Sequence, residues 1–177
     1  MNKATIVTEL QNVNHLFSET CYGINEKLFF EKPGGKWSVA ENIRHLILST
    51  GTTLLAFNLP KVLVRWIGGK SNRASRSFDE LLARYNKKLD EGGKASSRYV
   101  PKPLSVRSGK SGILDKWNKV TSKLIHALNS KNTEEDLDKY IVTHPLLGRI
   151  TLRELCYFTI FHTRHHLDSI TKMLLVT

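Results

Sequence analysis

The stretch from Thr151 to Thr177, TLRELCYFTIFHTRHHLDSITKMLLVT, holds no Pro and no Gly and carries three of the chain's seven histidines within five positions. Thr151 and Glu154 form a T-x-x-E capping box, with Ile150 and Leu155 placed as a hydrophobic staple, so the spacing predicts a helix that starts at Thr151 and meets no internal stop. At about 100° per residue, His162 and His166 lie about 40° apart on one face. Leu155, Phe158, Ser169 and Met173 share that face, which is largely apolar and should look into a core. His165 sits about 60° from His162 and about 100° from His166, which makes it the poorer co-ligand. Two imidazoles in a core must each find a hydrogen-bonding partner. They are either a bonded core pair or two ligands of one metal ion.

Three further stretches carry a helical stripe. Ile6, Leu10, Val13, Phe17, Cys21, Ile24 and Leu28 recur at spacings of three and four, predicting one long helix that gives way over EKPGGK. Ser38 to Glu41, S-V-A-E, is a second capping box, opening a helix that runs towards Phe57 and ends before Pro60. It carries His45. Ser38, Glu41, Asn42, Ser49 and Thr52 share the face of His45, while Val39, Ile43, Ile47 and Leu54 lie opposite, so His45 points either to solvent or into a wet metal cleft. Ile113, Leu114, Trp117, Val120, Thr121, Leu124, Ile125 and Leu128 form the next stripe, ending around Asn129 and Ser130. Thr133 then caps a short helix that reaches towards Tyr140. His15 and His126 fall on solvent faces. His144 precedes Pro145 and is biased to extended geometry in the connection before the last helix; it reads as a loop histidine, with the cleft rim as the alternative.

Between Pro60 and Gly112 the chain is looser. WIGGKSNRAS is loop-like, Ser77 and Glu80 make a third capping box for a helix through Phe78, Leu81, Leu82, Tyr85 and Leu89, and Gly92 and Gly93 stop it. RYVPKPLSVRSGKSG reads as extended or irregular. From Lys61 to Lys110 there are thirteen Lys and Arg against four Asp and Glu, so most of the formal charge of +11 is concentrated here. Such a patch attracts anions without specificity, and with few aromatics to stack bases and no recognisable module it argues against direct nucleic-acid function. Gly69-Lys70-Ser71 and Gly109-Lys110-Ser111 end like a phosphate-binding P-loop, but Val64 and Leu104 stand where that motif needs its first Gly. No set of strands and no internal repeat is evident. The expected fold is all-α: an antiparallel four-helix bundle forming a single domain over residues 1–177, with a long basic connection holding an extra helix between bundle helices two and three.

Cys21 and Cys156 make neither a disulfide framework nor a thiolate metal site, and they suit a reducing cytoplasm. The first residues lack the apolar core of a signal peptide, and no apolar run reaches the roughly twenty residues of a membrane span. A cytoplasmic protein without membrane contact is expected. Apolar bundle faces suit a homodimer.

WSVAENIRHL (Trp37 to Leu46) and HPLLGRITLRELCYFTIFHTRHHLDSI (His144 to Ile170) resemble the two hallmark stretches of the DinB-like superfamily of bacterial four-helix metal proteins. The order and spacing of the helices match over nearly the whole chain, and FDELLARYNKKLDEGGKASSRYVPK resembles the longer, largely uncharacterised branch. The resemblance implies three metal ligands, His45 from the second bundle helix and His162 and His166 from the fourth, around a divalent ion, Zn²⁺ or Ni²⁺. Three neutral imidazoles leave open positions, as in a catalytic site. Characterised relatives include thiol-dependent transferases and isomerases, so the resemblance implies a small-molecule thiol and an electrophile as partners, with an S-transferase as the leading expectation. The alternatives are a metal-dependent hydrolase and a non-catalytic, stress-related metal-binding protein. Ser169 stands where relatives often carry Gln, and no thiol contact can be matched. Glu41, one turn before His45, is the one candidate for an acid that assists catalysis or orients an imidazole, but the capping box already gives it a role.

Overall fold

Ser38, Ser77 and Thr151 each accept a hydrogen bond from the backbone N–H three residues on, and Glu41, Glu80 and Glu154 each reach back to the cap N–H, so all three capping boxes close. In the computed structural model, which describes residues 1–175, these caps start α3 (Val39–Asn58), α5 (Phe78–Asp90) and α8 (Leu152–Leu174). A fourth box, Thr133 with Asp136, starts α7 (Glu134–Lys139). With α1 (Lys3–Gly23) and α6 (Lys110–Lys131), α3 and α8 form a four-helix bundle: α3 packs on α6 and α8, and α1 packs on the same two. The core falls into two clusters. Phe17, Ile43, Trp117 and Ile170 hold one end, and Leu10, Leu124, Phe158 and Phe161 hold the other.

Three expectations need correction. The first stripe is not one helix: α1 stops at Gly23, Ile24 is extended, and Asn25 accepts the N–H of Leu28 to cap a separate α2 (Glu26–Phe30). Asn favours capping over a helix interior because its amide competes for backbone donors. The basic connection holds two helices rather than one, since α4 (Lys61–Gly68) precedes α5. Pro60 supplies the break, and α4 leaves α3 at 114°. The third correction is a hairpin. β1 (Ile141–His144) pairs antiparallel with β2 (Gly148–Thr151), Ile141 opposite Thr151 and His144 opposite Gly148. Its β-branched run Ile141-Val142-Thr143 was the available signal, and Gly148, at φ 71°, supplies the left-handed residue of the turn.

The hairpin is where the basic connection docks. Gly69 O accepts the N–H of Ile141, and α4 lies so close to β1 that a Cβ on Gly68 would sit 1.6 Å from Ile141 O. Gly68→Ala should therefore force the helix off the hairpin and cost about 1–3 kcal/mol. Thermal melting should show a loss of several degrees; an unchanged Tm would mean that the contact does not hold α4 in place. The opposite face of α4 is turned outward, with Trp66 84 % exposed beside Val62 and Ile67. No single helix among the described residues is long and apolar enough to cross a membrane.

Candidate metal centre

Because α3 and α8 are neighbours in the bundle, the polar face of α3 meets the histidine face of α8. Nε2 of His45 lies 3.0 Å from Nε2 of His162, which lies 3.2 Å from Nε2 of His166, and the three atoms fall within 4.8 Å of one another. All three side chains are buried. The face of α3 that looked solvated is roofed by the single-turn helix Ser97–Tyr99, whose Tyr99 O lies 2.8 Å from Nδ1 of His45. Trp37 closes another side, its ring 5.0 Å from that of His45 and stacked at 6.4 Å on that of His166.

What the other ring nitrogens do sets the chemistry of the cluster. A carbonyl only accepts, so Nδ1 of His45 must donate to Tyr99 O. Asn42 gives its amide N–H groups to Trp37 O and Ser38 O, which turns its Oδ1 to Nδ1 of His166 at 2.7 Å and makes that nitrogen a donor as well. Ser49 Oγ stands 3.5 Å from Nδ1 of His162. His45 and His166 therefore present bare Nε2 lone pairs towards the same atom of His162. One proton on His162 can satisfy only one of them. Burial, and then the neighbouring imidazoles, push His162 and His166 well below the usual histidine range, and burial lowers His45 despite the Tyr99 hydrogen bond, so none readily holds an extra proton.

A single cation would satisfy all three. Ligands about 2.0–2.1 Å from a tetrahedral Zn²⁺ stand roughly 3.3 Å apart, close to the two short separations found here. Hydrogen-bonded Nδ1 atoms behind converging Nε2 atoms are how metal-binding histidines are usually oriented. An all-nitrogen set suits a transition metal rather than Ca²⁺ or Mg²⁺.

Two spaces border the cluster. One is a cavity of about 250 Å³ walled by Tyr85, Leu89, Tyr99, Val142, Leu155 and Phe158; the other is a groove of about 850 Å³ with Lys36, Ser169 and Lys172 on its walls. Trp37, His165 and His166 line both. His165 is itself exposed and is not one of the three converging imidazoles, and His15 and His126 are exposed elsewhere. Glu41 is buried but fully engaged: it accepts the N–H of Ser38 at 3.0 Å and pairs with Lys32 Nζ at 2.6 Å, with no hydrogen bond to an imidazole. His144 differs from the loop residue expected, since it ends β1 and lines the cavity, with its ring 4.1 Å from that of Phe158. Sequence reasoning missed Tyr99, whose contribution is a backbone carbonyl that no side-chain pattern announces. Asn42 and Ser49 were in view as polar residues one turn either side of His45.

The DinB superfamily model matches residues 9–170 of this chain. No curated protein matches it. Among solved structures it is similar to YfiT from Bacillus subtilis, described as a probable metal-dependent hydrolase with an unusual four-helix bundle topology; the TM-score is 0.59 over 97 % of this chain and 85 % of that one, at 17 % identity. Likeness at that identity shows a shared fold.

Proposed function

The chain belongs to the DinB superfamily, and from that membership we propose that His45, His162 and His166 hold one divalent ion, Zn²⁺ or Ni²⁺, in an enzyme that transfers a small-molecule thiol to an electrophile. The observation that carries the metal assignment is the pair of imidazoles whose Nδ1 atoms are committed as donors, leaving Nε2 lone pairs that face each other across His162. When bound, the ion supplies Lewis-acid charge that stabilises an anionic sulfur or oxygen at neutral pH.

The protein's own groups support a two-substrate reaction. The apolar cavity suits the electrophile, and the groove with Lys36 and Lys172 suits an anionic thiol; the two meet at Trp37 and His166. In the transfer a sulfur–carbon bond forms, the leaving group departs with its electron pair, and the thiol proton passes to solvent. A thiol, with a pKa of about 8.5 in water, would lose that proton near neutral pH beside such an ion, so no dedicated base is required. Hydrolysis is the second reading, favoured by the description of YfiT. Free water is a far weaker acid; an ion held here would lower its pKa to about 7, but for a base to assist the attack, no carboxylate lines the cavity among the described residues and Glu41 is occupied by Ser38 and Lys32.

Metal analysis of protein purified without a histidine tag should find close to one divalent ion per chain. The metal-loaded protein should turn over chlorodinitrobenzene when cysteine or glutathione is added, and chelation should stop it. Turnover of nitrophenyl acetate without any thiol would replace transfer by hydrolysis, and silence with both probes would remove the enzymatic reading.

A further inference from the structure

The cavity beside the triad carries a second polar feature that the metal does not use. His144 Nδ1 accepts the backbone N–H of Leu146 at 3.2 Å and of Leu147 at 3.1 Å, closing the turn of the hairpin. A nitrogen that accepts two N–H groups bears no proton, so the neutral ring must carry its hydrogen on Nε2. Burial pushes the pKa of His144 down to about 4, which keeps the ring neutral at physiological pH. Among the described residues nothing pairs with Nε2, yet it is not among the sealed, unpartnered buried atoms. The ring lines the cavity. His144 thus offers a neutral N–H donor of fixed tautomer to whatever enters.

The surroundings narrow what that is. Phe158 packs against both His144 and His162, its ring centre 4.1 Å from one and 4.7 Å from the other, so the two imidazole centres are no farther apart than those two separations together. A cavity of about 150 Å³ takes benzene, so about 250 Å³ holds one ring with a short substituent. Among the described residues no carboxylate lines it and Lys94 is the one permanently charged side chain, so an ammonium group finds no counterion among them. The geometry points to a substrate that is a compact, largely apolar molecule bearing a carbonyl or carboxylate oxygen, with that oxygen held by Nε2–H of His144 while another part of the molecule reaches the triad. This assignment rests on the triad being the reaction centre, but the binding it describes needs no metal.

The test is an NMR titration of chelator-treated protein with three ligands of similar size: acetophenone, ethylbenzene and benzylamine. Acetophenone should bind roughly five-fold tighter than ethylbenzene, the effect of one hydrogen bond that water would otherwise supply, and benzylamine should be weakest. In His144→Asn the amide oxygen can still accept the turn N–H groups while the Nε2 donor is gone, so the preference for acetophenone should fall to near one. Equal affinity for acetophenone and ethylbenzene in the parent, a preference that survives in His144→Asn, or binding of none of the three would overturn the assignment. The ¹⁵N shifts of the His144 ring give a check that needs no variant: protonated Nε2 is expected, and protonated Nδ1 would overturn it. A protein that binds these ligands but never a metal would retain the site and lose only the reaction proposed above.

Discussion

Protein carrying His162→Ala should purify with no stoichiometric divalent metal, and added Zn²⁺ should no longer raise its Tm. His162 is the middle ligand, the one whose Nε2 lies within 3.2 Å of both others, so its removal leaves two imidazoles, too few protein ligands to hold an ion stoichiometrically. Loss of an orienting partner behind a ligand typically weakens metal binding by about 10–100-fold, and loss of the ligand itself should exceed the upper end of that range. In the parent, metal at a hundred to a thousand times its dissociation constant stabilises the fold by roughly 3–4 kcal/mol. For a chain of this length that is on the order of 10 °C in Tm. His165→Ala is the control, because that ring is exposed, and it should keep both the metal and the shift. A His162→Ala protein with the parent's metal content would dissolve the site.

How much of this the residues announce depends on the kind of signal. Capping boxes are local and chemical, and those at Ser38, Ser77 and Thr151 place three helix starts where the structure has them. The inward face of α8 is legible for the same reason, since apolar spacing around His162 and His166 depends only on helical geometry. His45 is harder. Its face of α3 is polar, and a wheel cannot distinguish a face wetted by solvent from one covered by a distant segment; Tyr99, fifty-four residues later, does the covering through its backbone. The hairpin and α4 escape for a related reason. Two four-residue strands and an eight-residue helix are too short for periodicity to register, and they are held by contacts with each other, such as Ile141 N to Gly69 O and the close approach at Gly68. The residue that best shows the limit is His144: a pre-proline histidine looks like loop, and only the turn that ties up its Nδ1 gives the other nitrogen a defined role.

Glu154→Ala should unfold the protein far more readily while leaving its metal content unchanged. Glu154 is fully buried at the start of α8, and its carboxylate collects the basic connection. Oε2 accepts the N–H of Thr151 at 3.0 Å, Oε1 accepts the N–H of Arg76 at 2.7 Å, and Arg73 grips both oxygens at 2.6 and 2.8 Å. Burial alone would raise its pKa, but Arg73 and the N–H groups of Arg76 and Thr151 together hold it below the usual carboxylate range, so it is charged at neutral pH. The substitution strips two backbone donors of their acceptor and leaves two guanidinium groups without a counterion. Breaking a buried pair this way costs about 3–5 kcal/mol. Arg73 and Arg76 are 33 % and 27 % exposed and recover some solvation, so about 2–4 kcal/mol is expected, on the order of 10 °C in Tm. Because the folded-state pKa is depressed, this stabilisation is present above the ordinary carboxylate value and is lost as pH falls below it, so the gap between parent and variant should close in acid. Eight residues, about 12 Å of helix, separate Glu154 from His162, and no hydrogen bond links it to the triad. Melting curves at neutral and acid pH, set beside metal analysis of the same samples, therefore separate two roles on one helix. If Glu154→Ala lost its metal along with its stability, the anchoring of α8 by the basic connection would itself be what brings the histidines to their meeting point.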